Sequence, residues 1–531
     1  MKEFRWAKLC FKNIQNLSFY RKIRNRIMVL ALIKWFILFT IFICHASEST
    51  RKNFKPSVDY NFEEARSRIN NLMKSMNLPS ISVAVAKDAE IIWEESFGWA
   101  NREKGIEATP HTMYSLASIS KPITATGLMV LVERGLVDLN QPANTYLGKA
   151  KLKAFEGDVQ DATVKRILHH TAGLPMHWNF FFDGECYKRP SMDETIKRFG
   201  IVVSPPGDRY EYSNLGYGII ESIIERVAQK SYPEFMKSEV FEPLGLNRTS
   251  VFIKSPEEDI VAQRYIENKD ASPFYDFDHR GASAVYSSAH DLVRFGMFHL
   301  KNHLDDQQQI LKDSTIDEMQ NDVDPRLSDC HYKLGWDVGE RYGYKVVSHG
   351  GGMPGVRTIL LLLPSMNTAV VVLCNGVYIN LSKIYDPILA AMYPKYKEKW
   401  KARRMNRSSG ESNKSYPFSQ LAGEWTGKIV TYKESMPVQL HVNKNGDSRL
   451  IFLGASTSDN KICEPIKPPR YANGFFTANF DGEIPIDEAL RSRLMVSVKI
   501  KLSEDRLSGF AAAISHREFF CLPSYIELKK K

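Results

Sequence analysis

The stretch that decides the fold is "SLASISKPIT", residues 115–124, in which three serines precede Lys121 and Pro122. The residues that follow, "ATGLMVLV" (125–132), are apolar on every side and predict a helix buried in a core. Proline is tolerated in the first turn of a helix, where the backbone N–H groups have no intrahelical partners. The stretch therefore predicts that Ser118 lies at the entrance of a buried helix.

The same spacing selects one of the three hydroxyls. Residues three apart share a helix face, so the Ser118 hydroxyl can meet the side-chain nitrogen of Lys121. Ser120 points about 100° away from Lys121, and Ser115 lies outside the helix. A negative charge forming at Ser118 also gains from the positive end of the helix dipole. We predict Ser118 as a nucleophile, with a purely structural helix-cap role as the alternative.

A second motif lies in "PPGDRYEYSNLGYGII" (205–220), a turn-rich loop that runs into an apolar helix. An alternating backbone displays Tyr212 and Asn214 on one side and turns Ser213 away. Tyrosine can relay a proton, and asparagine can orient a substrate amide. Packing of a loop aromatic is the structural alternative for Tyr212.

A third motif lies in "VVSHGGGMPG" (346–355), where a predicted strand ends at His349. The glycines that follow, Gly350, Gly351 and Gly352, let a substrate carbonyl approach backbone N–H groups, as an oxyanion hole requires. A tight turn is the structural alternative for these glycines.

Taken in order, S-I-S-K (118–121), Y-S-N (212–214) and H-G-G (349–351) resemble the serine β-lactamase superfamily. The similarity is to its class C-like branch, which includes penicillin-binding-protein and esterase relatives. It runs from about residue 58 to 393 and covers neither the N-terminal leader nor the C-terminal region. The resemblance implies an antiparallel sheet with flanking helices beside an all-helical lobe.

The resemblance also implies an acyl-enzyme mechanism that uses no metal and no organic cofactor. Ser118 would attack a substrate carbonyl, while Lys121 and Tyr212 share the transfer of the proton. Asn214 would contact the substrate. The backbone N–H groups of Ser118 and Gly352 would hold the oxyanion of the tetrahedral intermediate.

His349 stands where β-lactamases carry the lysine of K-T-G, which attracts the carboxylate of the substrate. An imidazole with an ordinary pKa near 6.5 is mostly neutral at pH 7.5. We therefore expect poor β-lactam hydrolysis and better turnover of neutral esters or amides. Activity on carboxylated substrates should rise as the pH falls toward 6, where His349 would gain a proton.

The order of elements independently predicts an α+β domain over residues 55–394. A helix at 61–77, two strands around a polar turn, helix-rich sequence over roughly 115–300, three more strands and a helix near 383–393 describe one antiparallel sheet covered by helices.

The chain changes character after this domain. Residues 395–415 are basic, and "RRMNRSSGESNKS" has no apolar period, which predicts a linker. Residues 416–531 contain short alternating segments and the hairpin signal "NKNGD" (443–447), which predict a small all-β barrel or sandwich. We expect this β-domain to fold separately and not to supply the nucleophile.

The leader, residues 1–50, explains most of the formal charge of +10, because it carries nine basic and two acidic residues. The rest of the chain is nearly neutral, which argues against a nucleic-acid partner. An apolar run from Ile27 to Cys44, interrupted only by Lys34, follows the basic residues and predicts membrane insertion with the rest of the chain exported. The segment is either a signal peptide cut after Ala46 or an uncleaved anchor.

Five cysteines follow the leader, and none has the spacing of a zinc ligand set. In an oxidising compartment Cys186 could pair with Cys330, or Cys463 with Cys521, and the sequence leaves both open. Adjacent histidines occur in "ILHHTAGLP" (167–175). We interpret them as structural, since no G-x-S-x-G elbow accompanies any serine.

The leading hypothesis is an exported serine hydrolase acting on a small ester, amide or peptide. The alternatives are a non-catalytic binding or scaffold protein that keeps the fold, and a peptidoglycan D,D-carboxypeptidase or a β-lactamase. The loop "MHWNFFFDGECYKRP" (176–190) contains Trp178 and three phenylalanines, which indicate either an apolar substrate portion or packing of the lobe on its own core. The sequence does not fix the oligomeric state.

Overall fold

The computed structural model describes residues 60–251, 260–327, 330–405, 417–488, 494–517 and 519–531. The predicted leader lies outside these residues. Within the described part of the chain, no helix has both the length and the apolar character needed to cross a membrane.

A seven-stranded antiparallel sheet forms the centre of the α+β domain, as the sequence predicted. Nearly every residue of its two middle strands is buried, because helices pack on both faces of the sheet. In spatial order the strands are Asp337–Arg341, Tyr344–Met353, Val356–Leu363, Thr368–Cys374, Ser80–Lys87, Glu90–Asn101 and Ile106–Glu107.

Helices cover this sheet and build the lobe beside it. The helix Ser120–Glu133 is buried over its first twelve residues, because it has no polar face to turn toward water. It packs against two of the others, Asn214–Ala228 and Arg280–Ser283. The remaining α-helices are Glu63–Met76, Val164–Leu168, Met192–Phe199, Tyr232–Met236, Ala289–His299, Asp313–Asn321, Ser382–Met392 and Pro394–Met405.

Short strands join the helices of the lobe. One pair, Trp178–Phe182 with Tyr275–Phe277, matters for the site because it comes from the aromatic loop that the sequence singled out. The others are Tyr114–Ser115, Val285–Ser287 and Thr249–Val251 in one small sheet, Lys153–Ala154 with Ile201–Val202, and Tyr265–Ile266 with Asp270–Ala271.

The prediction of a linker from residue 395 is wrong in its first part. Pro394–Met405 is a helix, and it is rich in Lys and Arg, which are good helix formers. Tyr396 and Trp400 lie four residues apart and are both buried, and Trp400 receives the Arg68 guanidinium 5.4 Å from its ring centroid. Two aromatic anchors on one helix face were enough to dock a segment that otherwise resembles a linker. Residues 406–415, the rest of the predicted linker, lie outside the described part.

The C-terminal region forms the predicted β-barrel. In the described part of this region, nine strands follow one antiparallel path: Lys461–Cys463, Ser448–Phe452, Ser435–Val442, Gly423–Val430, Phe520–Lys530, Arg506–Ser515, Met495–Ser503, Phe475–Phe480 and Arg470–Ala472. Backbone hydrogen bonds from Ile466 N–H to Asn479 O (2.7 Å) and from Asp481 N–H to Glu464 O (2.9 Å) tie its two ends together. The sheet therefore curls onto itself around a buried core.

The barrel shares a surface with the α+β domain. The strand Trp178–Phe182 pairs with the start of the barrel strand Phe520–Lys530, through Asn179 and Phe520. Ile201 and Val203 of the lobe belong to one buried apolar cluster with barrel residues. The expectation of a separately folding β-domain stays a prediction, and this joint surface argues against it.

The five cysteines of the described part are all free, so neither of the two disulfides that the sequence left open is present. Three of them, Cys374, Cys463 and Cys521, are buried.

Candidate active site

Ser118 occupies the position that the spacing predicted. It lies in a single 3₁₀ turn, Ala117–Ile119, directly before the buried helix. Ala117, next to it, has a φ of 50°, and this left-handed conformation costs an alanine about 1–2 kcal/mol. The turn is held in that conformation by neighbouring chain segments, since Leu116 N–H donates to Val285 O (2.9 Å) and Leu116 O accepts from Thr358 Oγ1 (2.8 Å).

Lys121 points its amine at Ser118 from inside the protein. Its Nζ lies 3.1 Å from Ser118 Oγ, 2.8 Å from Asn214 Oδ1 and 3.2 Å from Ala282 O. The side chain is fully buried, and no carboxylate is among these partners. Burial lowers the pKa of Lys121 well below its ordinary value, because a charged ammonium loses its hydration there.

The other two serines of the opening stretch do not face Lys121. Ser120 Oγ accepts a hydrogen bond from the Val285 N–H at 3.0 Å. Ser115 Oγ is buried and has no hydrogen-bond partner among the described residues. Only Ser118 combines a contact with the amine and partial exposure.

Tyr212 reaches Ser118 from the loop before the helix Asn214–Ala228. Its hydroxyl interacts with Ser118, both residues line the same cavity, and burial raises the pKa of Tyr212 well above the ordinary value. The Lys121 Nζ lies 4.7 Å from the centroid of its ring. Ser213 turns away and caps the helix by accepting from Gly216 N–H (3.3 Å), so the alternation expected from the sequence is present.

Asn214 is more engaged with the protein than the resemblance implied. Its Oδ1 accepts from Lys121, and its Nδ2 donates to His177 O at 2.9 Å. Both ends of the amide are therefore used to hold Lys121 in place, although Asn214 also lines the cavity described below.

The glycine strand passes close to the Ser118 turn. A Cβ added to Gly351 would lie 2.1 Å from Leu116 O and 3.2 Å from Ala117 Cβ, so only glycine allows this approach. Gly352 lines the cavity that Ser118 lines. Gly350 is exposed on the same strand.

His349 lies on the glycine strand but is not among the residues that line the cavity at Ser118. It is buried, its Nε2 lies 2.9 Å from the Tyr332 hydroxyl, and its Nδ1 lies 2.8 Å from Gly350 O. Burial lowers its pKa to about 3. The expectation that His349 gains a proton near pH 6 is therefore wrong. A histidine on this strand turned inward because Tyr332 offers it a partner there, and sequence spacing does not show that partner.

A cavity of about 340 Å³ opens at Ser118. Tyr212, Asn214 and Gly352 line it with Ser118. Its apolar walls come from Met176, Trp178, Phe180, Met353, Pro354 and Phe519, and its other polar walls from His279, Ser283, Ser515 and His516. Among the described residues that line it, none is a lysine or an arginine.

The sequence model of the protein family described as Beta-lactamase matches residues 65–392, which is more than half of the chain. The chain belongs to the Beta-lactamase family. The resemblance drawn from the three motifs is thus confirmed.

Two curated proteins are similar to this chain over more than half of the length of this chain. It is 26% identical over 341 residues to unguisins hydrolase ungD' of Aspergillus campestris, which covers 60% of this chain and 62% of that protein. It is 27% identical over 308 residues to penicillin-binding protein 4* of Bacillus subtilis, which covers 53% of this chain and 64% of that protein. The chain matches less than two thirds of the length of either relative.

Solved structures of the family share the fold. The octameric penicillin-binding protein homologue from Pyrococcus abyssi aligns with a TM-score of 0.55 at 22% identity and covers 88% of this chain and 100% of that one. A class C β-lactamase from Rhodobacter sphaeroides aligns with a TM-score of 0.51 at 21% identity, and the alignment covers 62% of this chain and 99% of that one. The Pyrococcus alignment is too long to be confined to the α+β domain, so it includes much of the barrel.

Sequence reasoning missed the contribution of the barrel to this site. Ser515, His516 and Phe519 line the cavity from the turn between two barrel strands. No motif marks that turn. The pairing of Phe520 with Asn179, and a backbone hydrogen bond from Phe180 N–H to Phe519 O (3.2 Å), bring it to the cavity.

Sequence reasoning also missed a buried histidine–aspartate cluster beside the cavity. Asp278 Oδ2 lies 2.9 Å from His177 Nε2, and Asp278 Oδ1 lies 2.6 Å from His279 Nδ1. The three side chains offer nitrogen and oxygen atoms close enough to bind one metal ion. Hydrogen bonds to the carboxylate account for these distances equally well, and the histidines lower the pKa of Asp278 in spite of its burial.

His169 and His170 pack behind the site, as the sequence indicated. His169 Nε2 bonds to Asp322 (2.8 Å) and its Nδ1 lies 3.0 Å from Tyr332 O. The His170 ring centroid lies 4.3 Å from that of Tyr212. Neither histidine lines the cavity.

Proposed function

We propose that this protein is a serine hydrolase that forms an acyl-enzyme at Ser118 and accepts small, uncharged esters or amides with an apolar portion. The observation that carries the proposal is the contact of Ser118 with Lys121 and Tyr212 at one end of a mostly apolar cavity.

The neutral form of Lys121 fits its surroundings. Two N–H groups of an uncharged amine can donate to Asn214 Oδ1 and Ala282 O, which leaves the nitrogen lone pair directed at Ser118. Such an amine accepts the proton of Ser118 as the Oγ attacks the carbonyl carbon of the substrate. The carbonyl oxygen then carries the negative charge of the tetrahedral intermediate.

Tyr212 completes the proton transfer in this proposal. Its raised pKa keeps the hydroxyl protonated at neutral pH, so it can donate to the leaving alcohol or amine when the carbonyl re-forms. The proton held by Lys121 replaces the one that Tyr212 gives up. Water then attacks the acyl-enzyme by the reverse sequence and returns the proton to Ser118.

Backbone N–H groups of Ser118 and Gly352 are the proposed oxyanion donors. Support comes from the close approach of the glycine strand to the Ser118 turn and from the position of Gly352 in the cavity wall. Donors fixed in the backbone stabilise the developing charge without reorganising.

The substrate class follows from the cavity walls. No described lining residue is a permanent cation, and His349, with a pKa of about 3, is neutral at physiological pH. A substrate carboxylate would therefore be desolvated there without a counter-charge. Trp178, Phe180 and Phe519 instead favour an apolar group. The names of the relatives, a hydrolase of unguisins and a penicillin-binding protein, agree with acyl chemistry in general.

Export of the protein is a further part of the proposal. The support is the leader, where a basic segment precedes the apolar run Ile27–Cys44. N-terminal sequencing of the mature protein would distinguish a signal peptide from an anchor.

A substrate panel tests the proposed function. Purified protein and the S118A variant are incubated with p-nitrophenyl acetate, butyrate and octanoate, a chromogenic cephalosporin and D-amino-acid amides. We expect Ser118-dependent ester hydrolysis that improves with acyl length, and weak cephalosporin turnover. Efficient cleavage of the cephalosporin or of a carboxylated peptide would contradict the substrate class. Equal rates for the wild type and S118A, together with no fluorophosphonate labelling, would favour the scaffold alternative.

A further inference from the structure

The segment that carries Tyr212 lies between the active site and the barrel. Residues 209–213 form no helix or strand, and their side chains alternate between two sides, as the contacts below show. Tyr210 and Tyr212 face His170, with ring centroids 5.9 Å and 4.3 Å from that of the imidazole. Arg209 and Glu211 face the barrel.

Two barrel residues meet that outer side. Lys499 forms an ion pair with Glu211, whose side chain is 8% exposed. Phe475 receives the guanidinium of Arg209 at 4.9 Å and the Lys499 amine at 5.3 Å from its ring centroid. The Arg209 Nε lies 3.8 Å from the same Glu211 carboxylate. The carboxylate is thus buried between two cations, one from each domain.

The inner side is attached through the backbone. The Glu211 N–H donates to His170 O at 2.8 Å, and the Ser213 N–H donates to His170 Nδ1 at 3.1 Å. These bonds flank Tyr212 but do not touch its hydroxyl. On the barrel side, the segment is held by the ion pair between Glu211 and Lys499.

We propose that Lys499 of the barrel is a positioning residue, which holds Glu211 and thereby keeps the Tyr212 hydroxyl beside Ser118. The inference rests on the proposed function for its catalytic consequence, although the positioning itself does not depend on it. Removing Lys499 leaves a buried carboxylate with only the more distant Arg209, and a buried charge that loses its partner is costly. The segment then relaxes toward Arg209 and moves Tyr212.

Lys501 provides a matched control on the same barrel strand. It pairs with Asp208 at 3.0 Å, but both side chains are more than 30% exposed. Exposed ion pairs contribute little, and Asp208 lies further from Tyr212 along the chain. Replacing Lys501 removes the same charge from the same strand without disturbing the Tyr212 segment.

The kinetic test uses the full chain and p-nitrophenyl butyrate. A displacement of about 1 Å can cost on the order of 100-fold in rate, so we expect K499M to lower kcat about 10- to 100-fold while KM stays near the wild-type value. K499R should recover most of the loss, and K501M should behave like the wild type. On a Y212F background, K499M should have little further effect, because Lys499 acts through Tyr212.

Crystal structures of the wild type and K499M test the positioning without any substrate. We expect the contact between the Tyr212 hydroxyl and Ser118 to be lost in K499M and kept in K501M. If K499M does not fold, E211Q removes the same charge pair with nearly the same shape and should show the same loss. An unchanged contact in K499M or E211Q, or full additivity of K499M with Y212F, would overturn the proposal. A fully active S118A or Y212F would instead contradict the proposed function, and the crystal structures would still decide the positioning.

Discussion

The Lys121 Nζ lies 3.1 Å from the Ser118 Oγ, and the lysine side chain has no exposed surface. A buried amine beside a hydroxyl is suited to act as a base. We predict that K121M lowers kcat/KM for an ester about 10²- to 10⁴-fold. K121R should be equally poor, because arginine keeps its proton in proteins. Activity of K121R above a tenth of the wild type would contradict the role of the amine.

The pH dependence of acylation follows from the same burial. Burial lowers the pKa of Lys121 well below its ordinary value, and only the neutral amine can accept the Ser118 proton. The rate of fluorophosphonate labelling should therefore rise with pH and reach its plateau well below pH 10. A labelling rate that still increases steeply around the ordinary lysine pKa would show that Lys121 is charged in the resting protein.

Because burial lowers the pKa of His349, we predict that the stability of the fold depends on pH. Burial lowers its pKa to about 3, against 6.5 for an exposed histidine. Between these two values the unfolded chain binds a proton that the folded chain does not, so stability rises with pH across the window. The slope for one such residue is at most about 1.4 kcal/mol per pH unit.

Urea unfolding at pH 7 and pH 4.5 measures this contribution. H349Q can still bond to Tyr332 but does not titrate, so it should lose less stability than the wild type between the two pH values. Other buried histidines, including His299, contribute equally to both proteins and cancel in the difference. Equal losses in the wild type and H349Q would show that His349 titrates normally.

Phe519 predicts that the barrel influences substrate choice. Its ring lines the cavity from the turn between two barrel strands. F519A should lower kcat/KM for the octanoate ester about tenfold and leave the acetate ester nearly unchanged, because an apolar contact contributes only when the substrate reaches it. I462A is a matched control, since Ile462 is 57% exposed on the barrel and lies outside the cavity wall. Equal losses for both esters would contradict a specificity role.

The sequence predicted the parts of the fold that depend on local pattern. The apolar run after Pro122 produced a buried helix, and the Ser118–Lys121 spacing placed the two side chains in contact. Alternating segments and the "NKNGD" signal produced the barrel strands. In each case the residues that form the pattern belong to a single helix, strand or hairpin.

The sequence did not predict what depends on partners distant in the chain. His349 is buried, where its Nε2 accepts from the Tyr332 hydroxyl, and the Pro394–Met405 helix docks through Tyr396 and Trp400. The barrel reached the cavity through one short strand pairing. Each of these contacts is made with a partner far away in the sequence, so no local motif indicates that partner.

The central claim is that Ser118, and neither Ser115 nor Ser120, is the nucleophile. The most direct test is to treat the full chain with a fluorophosphonate and to locate the adduct by peptide mass spectrometry, with S115A, S118A and S120A in parallel. We predict one adduct on Ser118, which disappears in S118A and persists in the other two variants. An adduct on Ser115 or Ser120, or labelling that survives in S118A, would contradict this account.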